Sequence, residues 1–176
     1  MHLVTTSTFL PSICAYFPPH VIQMFLRSYF SVCLAMWVGQ GRASVEITAE
    51  FVSKTGAFPQ EPVGDRATKP AKDTLTSETI TPNPWLAIVQ SALVHPDIHV
   101  SKIQRALYHW SQMFSGRPQG YWVKSSPKGN TVQLKGIELL DGTLFVRVAA
   151  MTQATKGWMR EGQKRGGWYF GTNYIN

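Results

Sequence analysis

Between residues 95 and 110 the chain reads HPDIHVSKIQRALYHW, which places three of its five histidines and one lysine at helical spacings. At about 100° per residue, with Lys102 at zero, His95 falls at about +20°, His99 at about +60° and His109 at about −20°, so one face carries all four. Imidazole and amine groups gathered on one side can bind and move protons, and neutral imidazole is also a metal ligand. Pro96 suits the first helical position, where its missing N–H has no partner to lose, and Asp97 sets negative charge at the positive end of the helix dipole. Ile98, Ile103, Ala106, Leu107 and Trp110 form an apolar stripe beside the polar face, which would let the polar groups enter a lined cavity. The same spacing also describes a surface helix whose histidines and lysine are solvated.

The neighbouring segments must hold this helix in place. Asn83 is a suitable N-cap with Pro84 at the first position, ahead of WLAIVQSALV. That helix ends at His95–Pro96, so two helices meet at a sharp corner that contains His95 and His99. The longest apolar run, HVIQMFLRSYFSVCLAMWVGQG, repeats the pairs Val21/Ile22, Phe25/Leu26, Tyr29/Phe30, Cys33/Leu34 and Trp37/Val38, and Gly39 and Gly41 stop it. Gln23 and Arg27 interrupt the run, so it is expected as the buried spine of the core in preference to a membrane span. Each large side chain would contribute roughly 1.5–3 kcal/mol on burial before entropy is subtracted.

The remaining segments are less regular. Pro11, Pro18 and Pro19 break the opening stretch into a short helix and a turn. SVEITAEFVSK is expected as a short helix with Val45, Ala49 and Phe51 or Val52 inward. Residues 56–84 are rich in Pro, Thr and Lys and poor in large apolar side chains, which indicates a long exposed loop: a lid, an insertion or a linker. Residues 115–130 form a Gly/Pro/Ser-rich connection. In TVQLKGIELLDGTLFVRVAAMTQATKGW, LFVRV alternates like a strand, whereas Leu139, Leu140, Leu144, Val148 and Ala150 or Met151 fit a helix. Two helices around Asp141–Gly142 are expected there. The tail is expected to be irregular, docking through Trp158, Trp168, Tyr169 and Phe170.

A length of 176 residues with 44% hydrophobic and 12% aromatic content describes one globular domain, residues 1–176. Its 17 Lys and Arg against 10 Asp and Glu give +7, but the excess gathers near the C-terminus and follows no periodic face. No nucleic-acid partner is expected. Cys14 and Cys33 lack CxxC spacing and read as buried thiols. The N-terminus has no basic leader, so a soluble cytoplasmic protein with no membrane partner is expected. Ser111 and His109 lack the G-x-S-x-G elbow of a hydrolase, and GRPQG and KRGG lack the strand–turn–helix context of a phosphate loop.

HPDIHVSKIQRALYHW and LKGIELLDGTLFVRVAAMTQATKGWMREG, with MHLVTTSTFLPS and LRSYFSVCLAMWVGQGR, resemble the questin oxidase-like family of fungal polyketide biosynthesis. The resemblance runs along most of the chain, except residues 56–84 and GYWVKSSPKGN. It implies an all-α, irregular multi-helix fold, here the C-terminal part of a larger helical one. It implies oxygen-dependent cleavage of an aromatic, anthraquinone-like polyketide ring in secondary metabolism, with O2 as co-substrate and NADPH as a reductant.

Some members resemble non-haem iron oxygenases with histidine ligands and a carboxylated lysine, which implies Fe(II) here. Lys102, in H-x-x-K with His99, is the matching lysine. An ammonium has three donors and no acceptor, so Lys102 could bind metal only as a carbamate, formed in a desolvated, cation-rich pocket. His99 is the companion ligand or an orienting group, and Lys102 and His99 are together the catalytic candidates. His2 and His95 are the further ligand candidates; His109 is expected to be structural and His20 to lie on the surface. A mixed nitrogen and oxygen set suits iron. Tyr29, Trp37, Trp85 and Trp110 are candidate walls for a flat phenolic substrate.

On this pattern other histidine ligands come from an N-terminal region of longer members. A chain without it would have an incomplete ligand set and exposed apolar faces. The alternative function is therefore a catalytically inactive fragment acting as a helical interaction partner.

Overall fold

The computed structural model describes residues 2–42, 47–49, 83–123 and 134–168. Every regular element among the described residues is helical, so the fold is all-α, as expected. The chain divides into two compact units, residues 1–45 with 168–176, and residues 46–167.

The first unit holds α1 (His2–Ser7), α2 (Leu10–Cys14) and α3 (Pro19–Gly39). The Thr5 and Thr6 hydroxyls donate back to His2 O at 2.9 and 2.7 Å within α1. Pro19 opens α3 with its fixed φ, and Gly41 at φ +84° follows its end. The Tyr29 hydroxyl donates to Leu3 O at 2.5 Å, and the Phe17 and Phe25 rings lie 6.2 Å apart.

The expectation that α3 is the core's spine is not met: no residue of α1, α2 or α3 is buried. Met24, Leu26, Phe30, Val32, Leu34, Met36, Trp37 and Val38 are all exposed, Met24 at 66% and Phe30 at 62%. At about 100° per residue these side chains surround the helix, so no single face could cover them. Periodicity located the helix correctly but could not locate its cover. By length and composition alone α3 could cross a bilayer, with mean hydropathy 1.5 and none of that window buried.

The second unit contains the core. It is built from α4 (Trp85–Leu93), α5 (Ile98–Phe114), a 3-10 turn at Ile137–Leu139, α6 (Leu144–Lys156) and a second 3-10 turn at Met159–Glu161. The N-cap of α4 is Pro84, one residue later than expected, and Asn83 Oδ1 just before it accepts from Trp85 N at 3.1 Å. Ile88 and Ala92 of α4, Val100, Ile103, Ala106 and Leu107 of α5, and Ala149 and Ala150 of α6 form the buried layer, closed by Trp158 at 1% exposure. The small Ala pair lets α6 approach α5 closely, and Gln104 on α5 donates to Ala149 O at 2.9 Å.

LFVRV is helical, not a strand, because it continues into the α6 pattern that buries Ala149, Ala150 and Gln153. Of the two helices expected around Asp141–Gly142, the first is only the 3-10 turn. Gly142 sits against the Phe114 and Ser115 carbonyls, where any Cβ would collide with backbone, and its N–H donates to Arg117 O at 2.8 Å. Of the short helix expected near residues 45–52, residues 47–49 are helical and Ala49 is exposed; Val45, Phe51 and Val52 lie outside the described residues. So do all but residues 83–84 of the expected 56–84 loop, and Tyr169 and Phe170 of the tail.

Candidate functional site

The corner between α4 and α5 collects ionisable groups around one buried carboxylate. Asp97, 7% exposed, is the N-cap of α5 and its Oδ1 accepts from His99 N at 2.9 Å. The same oxygen lies 2.8 Å from His99 Nδ1. A carboxylate can only accept, so Nδ1 carries the proton and the ring is held with Nε2 as its basic nitrogen. Arg165 approaches the other Asp97 oxygen at 3.6 Å. His99 itself is 38% exposed.

His95, 8% exposed, has a different part. Asp97 N–H donates to its Nδ1 at 3.0 Å, so the proton is on Nε2, which donates to Lys156 O at 3.2 Å. Both ring nitrogens are engaged, and His95 stitches the corner to the end of α6. Use as a metal ligand would require one of those bonds to break.

Lys156 is 4% exposed and its ammonium donates to Gly167 O. Burial pushes its pKa down, partly opposed by Asp97. Glu161, 7% exposed, is pushed up by burial, with its own backbone N–H and Arg160 opposing. Near these groups Gln104 and Gln153 pair at 3.4 Å in the interior.

The predicted residues separate as follows. On α5 the buried positions Val100, Ile103, Gln104, Ala106, Leu107 and Ser111 centre about 140° round the helix from Lys102. Lys102 and His109 are accordingly exposed, and His99 lies between the two faces. The cavity expected around Lys102 is not formed by the described residues, because the inward stripe is centred on Val100 and Leu107 and turns Lys102 outward. His2 is exposed on α1, in the first unit, and His20 is exposed, as expected. Trp85, a candidate substrate wall, is instead core, 9% exposed and packed edge-on to Tyr108 at 5.2 Å.

Iron can be tested against this geometry. Among the described residues no three His, Cys, Asp or Glu come together as a metal group. Lys102 also lacks the desolvation that a carbamate needs. What the second unit does provide is one carboxylate-oriented imidazole.

Asp97 as the orienting group was missed, although a local signal existed: an N-cap Asp two residues before a His can accept from both its backbone and its ring. Lys156, Gln153, Glu161 and Arg165 gave no signal, since their partners are distant in sequence.

A family model described as questin oxidase-like matches residues 1–107, more than half of the chain, and the chain belongs to that family. The match takes in His2, His95, Asp97, His99 and Lys102 and ends inside α5; the resemblance read in residues 134–162 lies beyond it. No curated protein and no solved structure matches the chain.

Proposed function

We propose that the chain is an oxidoreductase of the oxygenase type, or a part of one, acting on an aromatic, anthraquinone-like polyketide with O2 and with NADPH as a soluble reductant. The observation that carries this reading is the Asp97–His99 pair lying inside the family match. Phenolic rings react with oxygen more readily as phenolates, and a base must take the proton. His99, held at Nδ1 by Asp97, takes the phenol proton on Nε2, while Asp97 stabilises the imidazolium that forms. Lys102, about 60° round the helix from His99, offers a cation to the phenolate oxygen. Family resemblance further suggests Fe(II), with Lys102, His99, His2 and His95 as candidate ligands; no step here is routed through it.

The test is oxygen uptake by the full chain with a trihydroxyanthraquinone and NADPH. Substrate-dependent uptake that falls about 10²–10⁴-fold in His99→Ala supports the reading, as general-base loss typically does. Uptake no faster than without protein overturns it.

A second reading, a catalytically inactive helical partner of another subunit, is favoured by α3, whose exposed Met24, Phe30 and Val38 have the character of an interaction surface. Light scattering separates the two: a stable, monodisperse monomer would remove this alternative.

A further inference from the structure

Residues 157–167 leave the end of α6, turn through Met159–Glu161 and come back to the point they left. The return is pinned at the neck. Gly166 N–H donates to Lys156 O at 2.9 Å, the carbonyl that also receives His95 Nε2, and the Lys156 ammonium donates to Gly167 O. Two glycines permit this close fit: a Cβ on Gly166 would collide with Thr155 O, and one on Gly157, at φ +99°, with Lys164 O. Inside the loop, Trp158 N–H donates to Gln163 Oε1 at 3.1 Å and Gln163 N–H to Trp158 O at 3.2 Å. From this frame Arg165 reaches Asp97 Oδ2, so the loop backs the carboxylate that orients His99.

The tip of the loop carries a carboxyl in surroundings that suit its neutral form. Glu161 is 7% exposed, and the wholly buried Ser91 of α4 approaches it. Neither Glu161 Oε2 nor the Ser91 hydroxyl completes a hydrogen bond with a described residue. Of the charged groups on the loop and on the elements beside it, Arg160, Lys164 and Arg165 belong to the loop, Lys156 to α6 and Asp97 to the corner, while α4 has none. Arg160 favours the ionised carboxyl, but its guanidinium donates to Gln90 Oε1, and Lys156 is engaged with Gly167 O. A buried carboxylate whose oxygen finds no donor costs free energy that the protonated acid does not, and burial raises the pKa of Glu161 accordingly.

We propose that residues 157–167 are a pH-sensitive latch on the His99 corner, with Glu161 as its catch. While Glu161 is protonated, the tip is seated on α4 and the neck holds Arg165 on Asp97. Ionisation draws the carboxylate into water and lifts the loop, which hinges at Gly157 and breaks the Gly166–Lys156 bond. The seated carboxyl holds its proton more tightly than a free one, so closure is complete below the ordinary value near 4.5 and weakens as pH rises above it. Opening and closing need no substrate, so the latch stands apart from the oxygenase reading.

Amide exchange of the full chain between about pH 4.5 and about pH 7.5, with rates corrected for the base catalysis of exchange itself, tests the latch. The Gly166 amide is expected to lose protection by at least about threefold across that range, while the Val100 and Leu107 amides of α5 keep theirs. In Glu161→Gln, which is neutral throughout and of the same shape, the loss should disappear. Gly166→Ala, whose Cβ would meet Thr155 O, should leave the amide of residue 166 unprotected at every pH with α5 still protected. Protection at Gly166 that does not change with pH in the parent chain, a loss that persists in Glu161→Gln, a loss shared equally by α5, or an amide still protected in Gly166→Ala would each overturn the proposal.

Discussion

Two helices of similar length, α3 and α5, show how little a helix's own apolarity says about its burial. α3 is the longest apolar run of the chain, yet none of its residues is buried. α5 carries His99, Lys102, Gln104, Arg105 and His109 and still buries six residues. The difference is that α5's buried positions share one face, opposite small residues on α6, with Ile98 and Met113 left outside it, whereas α3's apolar side chains surround the helix. Burial follows from having a partner of the right shape, and a stripe can be matched where a full cylinder cannot.

That contrast can be broken most directly by truncation on each helix. Leu107→Ala on α5 is expected to cost about 2–5 kcal/mol, while Phe30→Ala on α3 should stay within about 0.5 kcal/mol. Urea titration read through amide exchange, of α4 to α6 for Leu107→Ala and of α3 for Phe30→Ala, measures both. A Phe30→Ala cost as large as that of Leu107→Ala would mean that α3 is covered in solution. Gly142→Ala comes next, at about 1–3 kcal/mol, because its Cβ would push the Ser115 carbonyl away; the same titration checks it.

Smaller effects sharpen the account of the polar interior. Glu161→Gln should raise the melting temperature at neutral pH. Glu161's pKa is raised in the fold, so above its ordinary value near 4.5 the folded state holds its proton longer than the unfolded one, and stability falls as pH rises through that window. The advantage of Gln should therefore vanish as the pH is lowered towards 4.5. Lys156 works in the opposite sense. Its pKa is lowered, so between the folded value and 10.5 the unfolded state binds more protons and stability rises with pH. Lys156→Met should flatten that alkaline rise in a series of melts. The smallest change in stability is expected for Asp97→Asn, since Asn also caps helices well, and the ¹⁵N shifts of the His99 ring should report the lost Nδ1–H restraint even so.

Local signals made much of the fold legible. Asn83–Pro84 and Pro96–Asp97 marked the starts of α4 and α5 to within two residues, Pro84 and Asp97 being the N-caps where each proline was expected at the first helical position. Of the expected stripe Ile98, Ile103, Ala106, Leu107 and Trp110, the middle three are buried, Trp110 is half-buried and Ile98 is exposed. LFVRV was ambiguous because a period of two and a period of 3.6 coincide over five residues; only its continuation to Gln153 decides. The candidate site was half legible. The alignment of His99 with Lys102 is real, but rotation about the helix axis was set by Val100 and Leu107, and this placed Lys102 in solvent. Engagement of His95 with Lys156 O, across 61 positions, left no trace in the sequence.

The account rests on Asp97-held His99 serving oxygen chemistry on a phenolic ring. The most direct measurement is incorporation of ¹⁸O from labelled O2 into a trihydroxyanthraquinone, with the parent chain and His99→Ala run side by side. Label in the product from the parent chain and its loss in His99→Ala is the predicted result. No label from either chain, or equal label from both, would contradict it.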